Sequence, residues 1–196
     1  MDHVIIPRWE WRTFGEGFGE SEPLLAALAP EGVEEGDELY LLSPAADENV
    51  KIRDRLMDIK ALQQVNADRL EQWEPVMKAA FPLPAAEVGK VLAALGLPAS
   101  RPAHAAYTLD QLLEELVKPW ARVRAVTVHK KRARCHIGGC PAEVTEVVAD
   151  GKRTRTVAIE SEDPARVIAA VRSLRLDRFE NISYPRGLKR LIGMTT

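Results

Sequence analysis

The segment Arg8-Trp-Glu-Trp-Arg-Thr-Phe14 alternates charge with bulk, and this alternation constrains the chain more than any other feature. As a β-strand, period two puts Arg8, Glu10 and Arg12 on one face and Trp9, Trp11 and Thr13 on the other. The pattern returns in "NVKIRDR", where Lys51, Arg53 and Arg55 share a face, and in "HKKRARCHI", where Lys130, Arg132 and Arg134 do. The ordinary arrangement is a solvated charged face on an antiparallel sheet. Such a face mixes signs, because like charges on neighbouring strands repel. Here lysine and arginine dominate one face of four segments, with only an occasional carboxylate. A sheet curled to turn these faces inward makes a cationic tunnel. That interior needs a polyanion, and its few carboxylates suit an accompanying divalent metal.

The remaining pattern is α+β with hairpins in place of βαβ crossovers, and it reads as one domain over 1–196. "DELYLLS", "NVKIRDR" and "MDIKALQQV" have strand lengths, and "RLEQWEPV" reads as a strand that Pro75 ends. In "AAEVGKVLAALG" the residues Val88, Val91, Leu92 and Leu95 share a helical face, with Gly96 as the stop. "SEPLLAALAP" reads as a short helix with a serine cap, "TLDQLLEEL" as one capped by Thr108, and "DPARVIAAVRSL" as one capped by Asp163. "PRGLKRLIG" closes the chain as a short basic helix. Trp120 to Ile137 reads as a long extended run. Gly138–Gly139 and Asp150–Gly151 are hairpin signals. If Ile137 opposes Cys140, Arg134 faces Glu143 and Arg132 faces Thr145. Thr156, Ala158 and Glu160 then alternate with Val157 and Ile159.

Composition excludes several classes. A net charge of −2 over 196 residues advertises neither a nucleic-acid partner nor an anionic membrane. No apolar stretch approaches a membrane span. The N-terminal stretch lacks a signal-peptide pattern, so a cytoplasmic protein is expected. Cys135 and Cys140, with His136 between them, fall short of a four-ligand zinc site. The scattered His3, His104 and His129 suggest no nucleophile relay. Trp73 and Trp120 are expected in the core or covering the barrel.

These motifs, in order along nearly the whole chain, resemble the CYTH superfamily, the triphosphate tunnel enzymes that include CyaB-type adenylate cyclases and thiamine triphosphatases. Arg8, Glu10 and Arg12 match the opening Glu-x-Glu-x-Lys strand. "VKIRD" and "DIKAL", "HKKRARCHI", "AEVTEV" and "VAIESED" match the later basic and acidic strands, and "ENISYPRGLKRLIG" resembles the C-terminal motif and helix. The resemblance implies an eight-stranded antiparallel β-barrel with helices packed outside. It implies a metal-dependent phosphohydrolase acting on an inorganic or organic triphosphate. Mg²⁺ or Mn²⁺ would be held by Glu10, Glu143 and Glu160. Substrate would be bound by Arg8, Arg12, Lys51, Arg53, Lys60, Lys130, Arg132, Arg134 and, from the last helix, Lys189, with Glu10, Lys60 and Arg132 in the reacting centre. Three departures bear on this. Arg8 replaces a family glutamate, Arg12 replaces a lysine, and Ala158 stands where a second glutamate often precedes Glu160. Arg8 removes a metal ligand and favours anion binding, Ala158 leaves the later acids sparser, and Arg12 keeps the charge but turns a point donor into a planar fork, so a non-catalytic polyphosphate- or nucleotide-binding module is the alternative. A surface-charged interaction domain without a tunnel is a third.

Overall fold

The computed structural model describes residues 6–194, so His3 and the first five residues of the stretch tested for a signal peptide lie outside it. Eight strands close an antiparallel barrel: β1 (Arg8–Gly15), β2 (Gly32–Leu42), β3 (Asn49–Arg53), β4 (Leu56–Val65), β5 (Glu71–Ala80), then β8 (Arg124–Ile137), β9 (Cys140–Ala149) and β10 (Lys152–Ser161). Around the barrel the order is β1-β10-β9-β8-β2-β3-β4-β5, with β5 returning to β1. Between β5 and β8, the short strands β6 (Leu83–Pro84) and β7 (Ala106–Tyr107) form a separate pair. The helices are α1 (Glu22–Ala26), α2 (Ala85–Ala94), α3 (Leu109–Gln111, running on as a π-helical turn over Leu112–Val117), α4 (Pro164–Ser173) and α5 (Tyr184–Ile192).

The sheet is polar inside and apolar outside. Val50, Ile52, Met57, Ile59 and Met77 point outward and pack under α2, whose Val88, Val91 and Leu92 are buried together with Leu95. On the opposite wall Trp11, Val157 and Ile159 pack with Val167, Ala170 and Val171 of α4. The tryptophans of the opening strand therefore face the covering helices, and Glu10 and Arg12 face the interior. The third cluster closes one end of the barrel. Leu42, Val126, Val128, Val147 and Ala149 meet Tyr184, Leu188 and Ile192 of α5. Burial of these methyl and ring surfaces supplies most of the stabilisation of each layer, at about 25 cal/mol per Å².

The glycine hairpins fix the register. Gly138 and Gly139 have φ of 57° and 80°, and Ile137 pairs with Cys140, Arg134 with Glu143 and Arg132 with Thr145. Asp150–Gly151 makes the same left-handed pair of turn residues. Thr108 accepts from the Gln111 N–H in a full capping box, and Asp163 accepts from the Ala165 N–H.

Four expectations are corrected. The strand β3 ends at Arg53, because Asp54 and Arg55 form a two-residue turn with φ of 52° and 62°, and Arg55 leaves the shared face. Pro75 does not end β5; the ladder shifts register beside Lys60 and continues to Ala80, which accommodates the missing N–H. The run before Ile137 begins at Arg124, not Trp120, and Trp120 is 41% exposed, outside the core. Ser21 precedes α1 without capping it, its hydroxyl donating to the Arg175 carbonyl instead.

Gly187 is where α5 touches the barrel most closely. A Cβ there would clash with the Phe14 ring. Gly187→Ala should displace α5 and cost roughly 1–3 kcal/mol of stability by overpacking. Chemical denaturation checks this, and an unchanged midpoint would show that α5 seats loosely.

Candidate functional site

Because alternate residues of every barrel strand point inward, the charged faces of β1, β3, β4 and β8 converge. They enclose a cavity of about 490 Å³, lined by seven lysine and arginine side chains and five carboxylates. That volume suits a small molecule, for which pockets of about 300–1,000 Å³ are usual. Glu10, Arg12, Lys51, Arg53, Lys60, Lys130, Arg132, Arg134, Glu143 and Glu160 all line it. Two residues singled out from sequence do not. Arg8 lies outside the lining, bonded through Nη1 to Glu160 Oε1 at 2.7 Å. Lys189 is buried against the β2–β3 connection, donating to Asp47 Oδ1 at 2.7 Å and to the Ala46 carbonyl at 2.5 Å. It ties α5 to that connection.

The interior charges are held by a residue that the sequence reading missed. Glu38 of β2 is 5% exposed. Its Oε2 lies 2.6 Å from Lys130 Nζ and 3.3 Å from Lys51 Nζ, and its Oε1 lies 3.4 Å from Arg132 Nη2 and 3.7 Å from Arg53 Nη1. Burial alone would push this carboxyl upward, but Lys130, Lys51 and Arg132 hold it far below the usual carboxylate range. Lys130 responds in the opposite sense: burial lowers its ammonium to about 7 despite Glu38. Its Nζ also donates to Tyr40 Oη at 2.7 Å and sits 4.1 Å from the centre of the Tyr184 ring. Tyr40 and Tyr184 stack at 5.3 Å, forming the floor between the charged chamber and the apolar plug. Glu38 was legible in principle: counting back by twos from buried Tyr40 places it on the inner face. Within "EEGDELY" it reads instead as one more solvated acid.

Carboxylates that could ligate a metal occupy the neighbouring wall. Glu10 pairs with Glu160 across β1–β10 and with Glu71 across β1–β5, so three acids lie in one cross-strand row. Uncompensated, such a row is unfavourable. Each acid has its own arginine: Glu160 has Arg8, Glu10 has Arg12 at 2.8 Å, and Glu71 is bonded to Arg186 of α5. Arg12 also reaches Glu143 at 3.0 Å through Nη1, and Arg132 Nε approaches Glu143 at 3.1 Å. Burial would raise the Glu143 carboxyl, but Arg12 and Arg132 bring it down to about 2. Among the described residues no three His, Cys, Asp or Glu side chains converge as a metal site. As arranged, the donors do not converge on Mg²⁺ or Mn²⁺: Arg12 and Arg132 hold both oxygens of Glu143, and Glu10 and Glu160 each have one oxygen bonded to a guanidinium. Cys135 and Cys140 are buried free thiols pushed upward by burial.

Lys60 has no ion-pair partner among the described residues, and Arg53 has only the long contacts to Glu38 and, at 3.8 Å, Asp54. The buried oxygen Tyr184 Oη also lacks a hydrogen-bond partner. Donors are therefore left over in the chamber after the internal pairs are made.

Two consequences can be measured. Glu38→Gln strands four cations around a neutral amide and should destabilise the protein by about 3–5 kcal/mol in urea at neutral pH; a smaller loss would mean that the cations relax into water. Glu143 has a depressed folded-state pKa, so its stabilisation is present above about 4.5 and is lost as pH falls toward 2. Glu143→Gln should flatten the acid limb of a stability–pH curve, and an unchanged limb would remove Glu143 from the network.

No family model and no curated protein matches the chain. Solved structures do. A Bacillus halodurans protein described as a candidate adenylate cyclase superposes with a TM-score of 0.51 at 9% identity, covering 95% of this chain and 98% of its own. A conserved hypothetical protein from Pyrococcus furiosus gives 0.50 at 16% identity, with 91% and 98% covered. A Hippeastrum protein described as an adenylyl cyclase with a dominant triphosphatase activity gives 0.49 at 12% identity, with 96% and 97% covered. At these identities the likeness is one of fold. No helix among the described residues is long and apolar enough to cross a membrane. The chain has the α+β, CYTH-like eight-stranded barrel that its motifs resemble.

Proposed function

We propose that the barrel binds the triphosphate group of a small molecule: inorganic triphosphate, a short polyphosphate or an organic triphosphate. The observation that carries this is the convergence of seven lysine and arginine side chains from β1, β3, β4 and β8 on one cavity of about 490 Å³. A polyanion is the ligand that such a lining compensates, because phosphate oxygens accept charge-assisted hydrogen bonds from several donors at once. Lys60 and Arg53 are the first contacts, having the least internal compensation. Arg134, Arg132 and Lys51 extend the cradle, and Lys130 adds charge as pH falls through about 7.

Hydrolysis is the second reading, favoured by Glu10, Glu143 and Glu160 lining the same cavity. In this reading water is the nucleophile. Lys60 and Arg132 would then steady the charge on the transferred phosphoryl group, with Glu10 beside them.

Calorimetric titration with inorganic triphosphate tests binding. Lys60→Met and Arg53→Met should each weaken it roughly ten- to hundredfold, the worth of one charge-assisted hydrogen bond. Wild-type affinity retained in both variants would move the ligand out of this cavity. Phosphate release from triphosphate and ATP, with and without Mg²⁺ or Mn²⁺, decides between a binder and a hydrolase.

A further inference from the structure

The cross-strand row Glu160–Glu10–Glu71 sets an electrostatic problem beside a site that takes a polyanion. Three carboxylates aligned across β10, β1 and β5 repel one another and would repel phosphate oxygens. A divalent cation is one remedy. The geometry points to another: this barrel holds its triphosphate group without a divalent metal, the guanidinium groups of Arg8, Arg12 and Arg186 standing as fixed counter-ions to the row. The inference rests on the triphosphate-binding reading and adds how the acids of that site are neutralised.

Three observations support it independently of any relative. Each acid of the row has a separate guanidinium partner, two of them 2.7 and 2.8 Å away and the third in direct hydrogen-bond contact. Arg12 is also locked in place. It is 7% exposed and bonded to Glu10, and it reaches Glu143 at 3.0 Å and Thr156 Oγ1 at 3.3 Å under the Tyr184 ring. The partners come from two elements, β1 and α5, so two separate parts of the chain converge on the same neutralisation. A guanidinium carries one charge and presents five donors in a plane. Unlike a metal ion it is neither lost nor exchanged, and Arg8, half exposed, has donors left for a phosphate oxygen. Each acid of the row thereby has a counter-ion before any ligand arrives, and the cations of β3, β4 and β8, four of which share the single carboxylate Glu38, keep a surplus of positive charge for the polyanion.

The experiment uses the full chain and two separate measurements. In the first, Mn²⁺ binding to ligand-free protein is followed by electron paramagnetic resonance. Wild type should bind no Mn²⁺ in the micromolar range, whereas Arg8→Glu should gain a site. Micromolar Mn²⁺ binding by wild type that Glu10→Gln removes overturns the inference, whatever the protein does with phosphates. In the second, inorganic triphosphate is titrated calorimetrically in EDTA and in excess Mg²⁺. Wild type should bind at least as tightly in EDTA. Arg8→Glu should lose about tenfold or more in EDTA, through a two-unit charge reversal beside the ligand, and regain part of it with Mg²⁺. Wild-type binding that appears only with Mg²⁺ overturns the inference. No triphosphate binding in either buffer defeats the triphosphate reading alone, and the Mn²⁺ measurement still decides the metal. Arg8→Gln, without the added acid, serves if Arg8→Glu fails to fold.

Discussion

Charge facing inward is the constraint on which the rest of the structure depends. In most small domains the apolar face of each strand meets the core and the charged face meets water. Here covering helices take the apolar faces, so the barrel must satisfy its charges within itself. Glu38 does so for β2, β3 and β8 at once, its two oxygens serving Lys51, Arg53, Lys130 and Arg132. A buried carboxylate is tolerated only when such pairing exceeds the loss of hydration. Four cations around one carboxylate leave the group net positive, and that surplus gives the chamber its character.

The outer layers follow from the same inversion. With Trp11, Ile52 and Ile159 facing outward, the sheet cannot stand bare in water. The helix α4 covers one wall, α2 and the π-helical turn the other, and α5 fills one end. The helices thus do for this barrel what a second sheet does for a sandwich. The site belongs to the strands, and of the helices α5 alone contributes cavity-lining side chains, Tyr184 and Pro185.

Much of this was legible in the sequence, for identifiable reasons. Two-residue hairpins at Gly138–Gly139 and Asp150–Gly151 set the pairing of β8, β9 and β10 because turn chemistry fixes register. Alternation in β1 and β8 separates inner from outer residues by sequence alone. The sequence did not disclose which acid would hold the cations: alternation from Tyr40 puts Glu38 and Glu34 on one face and Glu35 and Asp37 on the other, and between Glu38 and Glu34 only pairing with β8 and closure against β3 make the difference. Pairing across β1 and β5 was equally invisible, and with it the alignment of Glu71 with Glu10. Pro75 misled because a missing donor ordinarily ends a ladder, whereas a local register shift beside Lys60 absorbs it. Lys189 misled because its helix does reach the barrel, but this side chain is spent on the β2–β3 connection.

The helix that fills one end of the barrel makes the interior blind. Tyr184, Leu188 and Ile192 sit against the inner methyl groups of β8 and β9, so the described residues give the charged space a floor at that end. A chain-like guest must go in head first and back out along the same path. Its leading end rests against the tyrosine floor while any length beyond the chamber trails in solvent. Such a receptacle gauges a guest by its terminus and is indifferent to how far the tail extends. A pipe open at both ends could instead thread a chain and hold it by the middle.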